Sequence, residues 1–402
     1  METNNNNELN DVIRDEIIDK SVYDSLPDNE KERWSKFDRK IEKIPLWSKI
    51  ALSFLLISAV LYVIFCLSPK FSDFFNKNIS GALRFLLAQI TNLIPFSLAE
   101  AVIFLIPIIL FFAIRFIWKH RCHTRRSTMV TIVCIFSIVS MFVSSFVWVF
   151  AAGYRGATLD QKLGLEAEPL DKYDLYYAAI YMADEINALV PEIEYGSDGF
   201  SVMPYTMSEM NNKLLDAYES FASKNDFLNT FRSRLKPVLL SEAMSYAHIT
   251  GIYTFFTGES NLNVGFPDYT IPYTAAHELA HQRGIAREDE ANMVAFLVCL
   301  ESEDSYIRYC AYLNMYEYIV DALYDADKKL FREAYSMISE SVYKEQLAYS
   351  EFFEKYTDSV TSQVSGAVND AYLQSQGTVG KQSYGMVVDL TVAYLKKYKH
   401  ID

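Results

Sequence analysis

Histidine and cysteine are scarce in this chain, and basic residues are scarce in its second part. Six histidines and five cysteines occur among 402 residues. No CxxC is present, which argues against thiolate zinc sites. Cys66 and Cys134 fall inside apolar runs and Cys122 inside a basic loop, which leaves Cys299 and Cys310 for any disulfide. If 287–324 is one helix, the eleven residues between them span about 16 Å, beyond disulfide reach; a break would reopen the pairing. Residues 1–153 carry 17 Lys and Arg against 14 Asp and Glu, whereas 154–402 carry 20 against 37. A part that acidic repels phosphate backbones, so no nucleic-acid partner is expected. Residues 154–402 contain no repeat or low-complexity tract, and the asparagine run at 4–7 belongs to an N-terminal tail of disordered composition.

Apolar residues are abundant, at 51% of the chain with 15% aromatic. They concentrate in three runs: "IALSFLLISAVLYVIFCL" (50–67), "AVIFLIPIILFFAIRFIW" (101–118) and "MVTIVCIFSIVSMFVSSFVWV" (129–149). A run of about 18 residues spans about 27 Å as a helix, close to the hydrocarbon thickness of a bilayer. Trp47, Trp118 and Trp148 flank the runs where interfacial anchors belong, and Arg115 lies near enough to one end to snorkel. The first run begins too deep for a cleaved secretion signal. Three membrane spans are expected, with the lipid bilayer as a partner. The basic stretches "KERWSKFDRKIEK" (31–43) and "KHRCHTRRS" (119–127) then lie in the cytoplasm under the positive-inside rule. That places the N-terminus inside, the loop 68–100 outside, and everything after residue 153 outside. Within that loop, "ISGALRFLLAQITNLI" (79–94) reads as an amphipathic helix, either lying at the outer interface or packed over the spans.

Three parts follow: a cytoplasmic tail (1–45), a three-helix membrane region (46–153) and an extracytoplasmic domain (154–402). In the last, apolar spacing predicts helices over 171–190, 207–223 and 235–248. "GIYTFFTGESNLNVGF" (251–266), rich in β-branched and aromatic residues around a glycine, predicts strand–turn–strand. Helices resume from residue 273. The fold class is mainly α with a small β-sheet, an α+β domain.

The chemistry concentrates in "TAAHELAHQRGIAREDEAN" (274–292). Residues four apart share a helix face, so His277 and His281 aim at one point, as two ligands of a zinc ion must. Glu278 sits beside them as a general base for a zinc-activated water. Pro272 and Thr274 suit a helix start, and Gly284 a stop just past His281. The HExxHxxGxxH pattern of metzincins would place a third histidine at 287, where this chain has arginine. Gluzincins take a glutamate from the following helix instead, which selects Glu288, with Glu290 as the alternative. Asn292, four residues beyond Glu288, is placed to hydrogen-bond His277 or His281. This resembles the ExxxD arrangement of integral-membrane gluzincins, with asparagine in place of aspartate.

The runs "GIYTFFTGESNLN", "PYTAAHELAHQRG" and "EDEAN", with "GYRGATL" (153–159) and "YLQSQGTVGKQSYGMVVDL" (372–390), resemble a family of uncharacterised bacterial multi-pass membrane proteins, a domain of unknown function with a zincin-like HExxH. The resemblance implies a membrane-anchored, gluzincin-type zinc peptidase acting on a protein or peptide substrate. Within it, Glu259, Asn261 and Asn263 fall where zincins place the strand along the substrate, as substrate-facing or sheet-edge groups. Tyr384 is a candidate transition-state hydrogen-bond donor, and His248 reads as structural. Two other functions remain open: a non-catalytic zincin-fold sensor or scaffold, and a zinc amidase acting on a cell-wall peptide link.

Overall fold

The computed structural model describes residues 27–28, 31, 43–120, 125–166, 169–357, 359–376 and 383–401. The asparagine run and most of the basic stretch 31–43 lie outside the described residues, as do residues 121–124 of the second basic stretch. The chain begins with α1 (Leu46–Leu67), α2 (Pro69–Phe75), a π-helical turn (Asn76–Ser80), α3 (Gly81–Asn92), α4 (Leu98–His120) and α5 (Arg125–Val149). The apolar runs have become α1, α4 and α5, which are long and apolar enough to cross a membrane. No residue of the most apolar 18-residue stretch of α4 is buried. Exposed Ile, Leu, Phe and Val side chains recur along all three helices. A surface of that character suits a lipid environment.

Contacts divide the chain into two compact units, one of residues 1–63 and 101–147, the other of residues 64–100 and 148–402. The second unit continues with a 3-10 turn (Ala151–Tyr154), α6 (Leu159–Leu163), α7 (Lys172–Leu189) and α8 (Met207–Lys224). β1 (Lys236–Pro237), α9 (Ser241–Tyr246), β2 (Gly251–Thr254) and β3 (Glu259–Leu262) follow. Then come α10 (Thr270–Gln282), α11 (Glu288–Leu300), α12 (Ser305–Ala326), α13 (Lys328–Tyr335), α14 (Glu340–Glu354), α15 (Val360–Ser375) and α16 (Ser383–Lys399). The unit is mainly helical, with one three-stranded sheet.

Its helices stop and start on local signals. Asp171 caps α7 and Thr206 caps α8, each in a reciprocal capping box. α11 is apolar on all sides from Met293 to Cys299 and is buried throughout, packed between α10 and α16. α7 packs on α12 beside it. Burying each large side chain of this core contributes roughly 1.5–3 kcal/mol. α11 and α12 are separate helices, with Asp304 capping the second. The break reopens the question of Cys299 and Cys310, and both are buried free thiols.

The sheet order is β1–β3–β2, with β1 parallel and β2 antiparallel to β3. The strand–turn–strand expected over 251–266 is present, turning at Gly258. The single helix expected over 235–248 is not. Lys236 and Pro237 pair with Asn261 and Leu262 before a helix of six residues. Proline lacks an N–H and sits on an edge strand, which α-helical periodicity does not reveal.

Candidate metal centre

α10 starts at Thr270, one turn before Thr274, with Pro272 inside its first turn where a missing N–H costs nothing. It ends in a left-handed residue, Gly284, at φ 97°. Gly284 N–H donates to His281 O at 2.9 Å and Ile285 N–H to Ala280 O at 3.1 Å, the paired bonds of a Schellman motif. This turn carries the Ile285 carbonyl back to His281, whose Nδ1 lies 2.7 Å from it. In the neutral ring, Nδ1–H donation to that carbonyl leaves the lone pair on Nε2.

The same turn starts α11 at Glu288, with Arg287 as its N-cap residue. The Glu288 carboxylate returns to α10, with Oε2 3.2 Å from His277 Nε2 and Oε1 3.6 Å from His281 Nε2. The two imidazoles stand nearly perpendicular with centroids 4.6 Å apart. One ligand atom each from His277, His281 and Glu288 fall within 4.8 Å of one another. Burial pushes the Glu288 carboxyl up, but His281 and His277 outweigh it and hold the group well below the usual carboxylate range. Burial likewise opposes the charge on His281, and the Glu288 carboxylate reverses that, raising the ring to about 9.

Glu278 is not one of the three converging groups, but it lies close enough to feel the charges of His277, His281 and Glu288. It is 4% exposed, and its Oε2 has no hydrogen-bond partner. Gly251, the first residue of β2, lies against it: a Cβ there would stand 2.6 Å from Glu278 Oε1. β2 is an edge strand. Ser260 on β3 donates to the Glu278 carbonyl at 2.9 Å, locking α10 to the sheet.

Glu290 is held by other partners. Its Oε1 accepts from Leu159 N–H at 2.9 Å and from Arg287 Nη1 at 2.7 Å, and Arg287 also donates to the carbonyls of Tyr154 and Gly156. Glu288 is therefore the acid that meets the histidines. Asn292 is buried, but the expected bond to an imidazole is absent. His281 Nδ1 faces Ile285 O, His277 Nδ1 has no partner, and the Asn292 carbonyl accepts from Tyr273 Oη.

Glu259, Asn261 and Asn263 are neither substrate-facing nor at an edge. Glu259 and Asn261 lie on the central strand, Asn263 directly follows it, and all three are at most 2% exposed. Glu259 accepts from the N–H groups of Leu98 and Ala99 at the start of α4. Asn261 accepts from Ser97 Oγ at 2.6 Å, and Asn263 donates to Ser245 Oγ and Ile249 O. These residues join the 93–100 segment and α9 to the sheet. Tyr384 falls within α16, but its side chain lies outside the described residues. His248, at φ 56°, contacts Tyr356 O through Nε2 at 2.8 Å, a structural role.

Arg84 and Asn76 also belong to the site's support. Asn76 Nδ2 donates to Gly284 O at 2.9 Å. Arg84, fully buried, donates to Asn76 Oδ1, Asn76 O and Val149 O at 2.9, 2.8 and 2.7 Å, and reaches Arg283 O at 3.5 Å. Burial lowers its pKa to about 10, and helix-end carbonyls take the place of a carboxylate partner. The signal for it was in the sequence: Arg84 is the one charge in "ISGALRFLLAQITNLI".

A family model described as "Protein of unknown function (DUF3810)" matches residues 71–392. The chain belongs to this family. The DUF3810 match takes in α2 and α3 as well as the His–His–Glu cluster. No curated protein and no solved structure matches the chain.

Two imidazole nitrogens and one carboxylate, with one Nε2 freed for coordination by a backbone bond at Nδ1, form a donor set suited to a single zinc ion with a position left open.

Proposed function

We propose that this DUF3810 member is a membrane-anchored zinc metallopeptidase that hydrolyses peptide bonds of an envelope or surface-proximal protein or peptide outside the membrane. One observation carries the reading. His277 and His281 of α10 converge with Glu288 of α11, while Glu278, a buried carboxylate next to His277 on α10, feels the charges of all three and keeps one oxygen without a hydrogen-bond partner. In this zincin-like reading His277, His281 and Glu288 hold the ion. When bound, zinc supplies Lewis acidity to a carbonyl and to water.

The chain's own residues do the rest. Glu278 takes the proton from the attacking water and returns it to the leaving amine nitrogen. The Ile285 carbonyl fixes the tautomer of His281. The β2 edge beside Glu278 suits an extended substrate segment, held by main-chain hydrogen bonds. The basic segments at 31–43 and 119–127, kept in the cytoplasm, put the site outside.

The test uses the full-length protein in lipid, with metal content and peptide hydrolysis measured together. Glu278→Gln is expected to keep about one zinc per chain and to lose hydrolysis by about 10²–10⁴-fold. Full zinc retention by the His277→Ala, His281→Ala double variant would sink the site. Zinc binding without hydrolysis of any envelope protein or cell-wall peptide would leave a scaffold. Comparing envelope proteins from cells with and without Glu278 identifies the substrate.

A further inference from the structure

α3 has two faces with opposite demands. One buries Arg84, Ala88 and Thr91. The other exposes Leu86, Ile90 and Leu93, at i, i+4 and i+7, to 55%, 53% and 84%, with Phe85 beside them at 47%. Phe74 in α2 and Phe96 after α3 are also exposed, at 56% and 54%. A helix in water does not present such a row.

The path of the chain says what covers it. α1 ends at Leu67 and α2 begins at Pro69, with one residue between them. α3 ends at Asn92, and α4 begins at Leu98. Both α1 and α4 are long and apolar enough to cross a membrane. A segment tied this closely to two spans at both ends stays at the bilayer surface, where its apolar row has lipid within reach. Lys70 and Lys77, both exposed, suit the phosphates of the headgroups.

We infer that α2–α3 is a platform seated in the outer lipid interface, and that its opposite face holds the helix bearing the metal site. Arg84 and Asn76 grip the turn at 283–284 whose continuation, Ile285, orients His281. The platform thereby adds to the proposed peptidase the surface at which it works. The lipid seat itself rests on α1 and α4 being spans and needs no hydrolysis.

The experiment reads burial in lipid directly. In the full-length protein, with Cys66, Cys122 and Cys134 replaced by serine, spin labels are placed singly through Leu86→Cys, Ile90→Cys and Leu93→Cys. A fourth, Glu340→Cys, serves as a control on the exposed side of α14. The variants are reconstituted into vesicles of phosphatidylcholine and phosphatidylglycerol. Labels at 86, 90 and 93 should collide with oxygen several-fold more than with a water-soluble nickel complex, the control showing the reverse. Nickel access equal to the control would mean that the row faces water. Shielding from both probes would mean that protein covers it. Either result overturns the inference, and neither depends on zinc or on turnover.

Discussion

In the proposed peptidase, a carboxylate serving as a base beside a metal must be kept from becoming a ligand, and backbone position keeps Glu278 and Glu288 apart. Glu278 follows His277 directly, about 100° around the helix, and rests against Gly251. Gly251→Ala would press a methyl into its carboxylate at 2.6 Å. Turnover should fall roughly 10²-fold, as for about 1 Å of misplacement, while zinc content by metal analysis stays unchanged. Glu288 and Glu290 separate in the same way. Glu288→Ala should weaken zinc by more than the roughly 10–100-fold lost with an outer partner. Glu290→Ala should spare zinc affinity but cost about 1–3 kcal/mol of stability, since Leu159 N–H and Arg287 lose their acceptor. Metal titration and denaturant unfolding of the two variants check both outcomes. The cluster was legible in the sequence because helix, turn and helix carry it within twelve residues. Asn292 bonds to neither imidazole: the Ile285 carbonyl, not a side chain, occupies His281 Nδ1, and His277 Nδ1 is left without a partner.

Among the elements, the turn after α10 carries the most constraint. Gly284 adopts φ 97°, and a Cβ there would meet Arg84 Nη2 at 2.3 Å. Gly284→Ala should therefore cost at least about 2 kcal/mol and lower the melting temperature by roughly 5 °C, measured by thermal unfolding in detergent. Zinc affinity should fall with it, because the same turn presents Ile285 to His281. The glycine stop was legible from composition, as were α7, α8 and the β2–β3 hairpin, each written in short-range periodicity and caps. The polar residues of β3 were not. Glu259, Asn261 and Asn263 looked like substrate contacts by pattern. The partners of Glu259 and Asn261, at Leu98, Ala99 and Ser97, lie more than 150 positions away, beyond any local signal, and Asn263 bonds to Ser245 and Ile249. Lys236 shows the same blindness: it is fully buried, donates to Thr91 O and Ile94 O, and stands 3.9 Å from Glu259.

Over the whole molecule, a desolvated acid shapes the pH response. Desolvation first, then the charges of Asp321 and Glu345, push the Glu317 carboxyl up to about 8, against a lowering hydrogen bond from Tyr269. The folded state then holds a proton that the unfolded chain releases near 4.5. Stability from this group is complete below about pH 4.5 and declines as pH rises toward 8. Glu317→Gln should flatten that decline, as followed by unfolding at pH 5, 6, 7 and 8. The three long apolar helices were legible because runs with at most one charge need no partner to be recognised. The extent of the second unit was not, since it is assembled from residues 64–100 and 148–402. That discontinuity has a consequence for biosynthesis. The segment holding Arg84, Asn76 and the carbonyls that receive Lys236 is synthesised first and waits about 190 residues for α10. A truncation beginning at residue 154 therefore starts life without the floor of the helix that carries the two histidines. It should emerge from the ribosome as a chain that cannot finish folding, and adding back the missing piece means adding back the membrane insertion that delivers it.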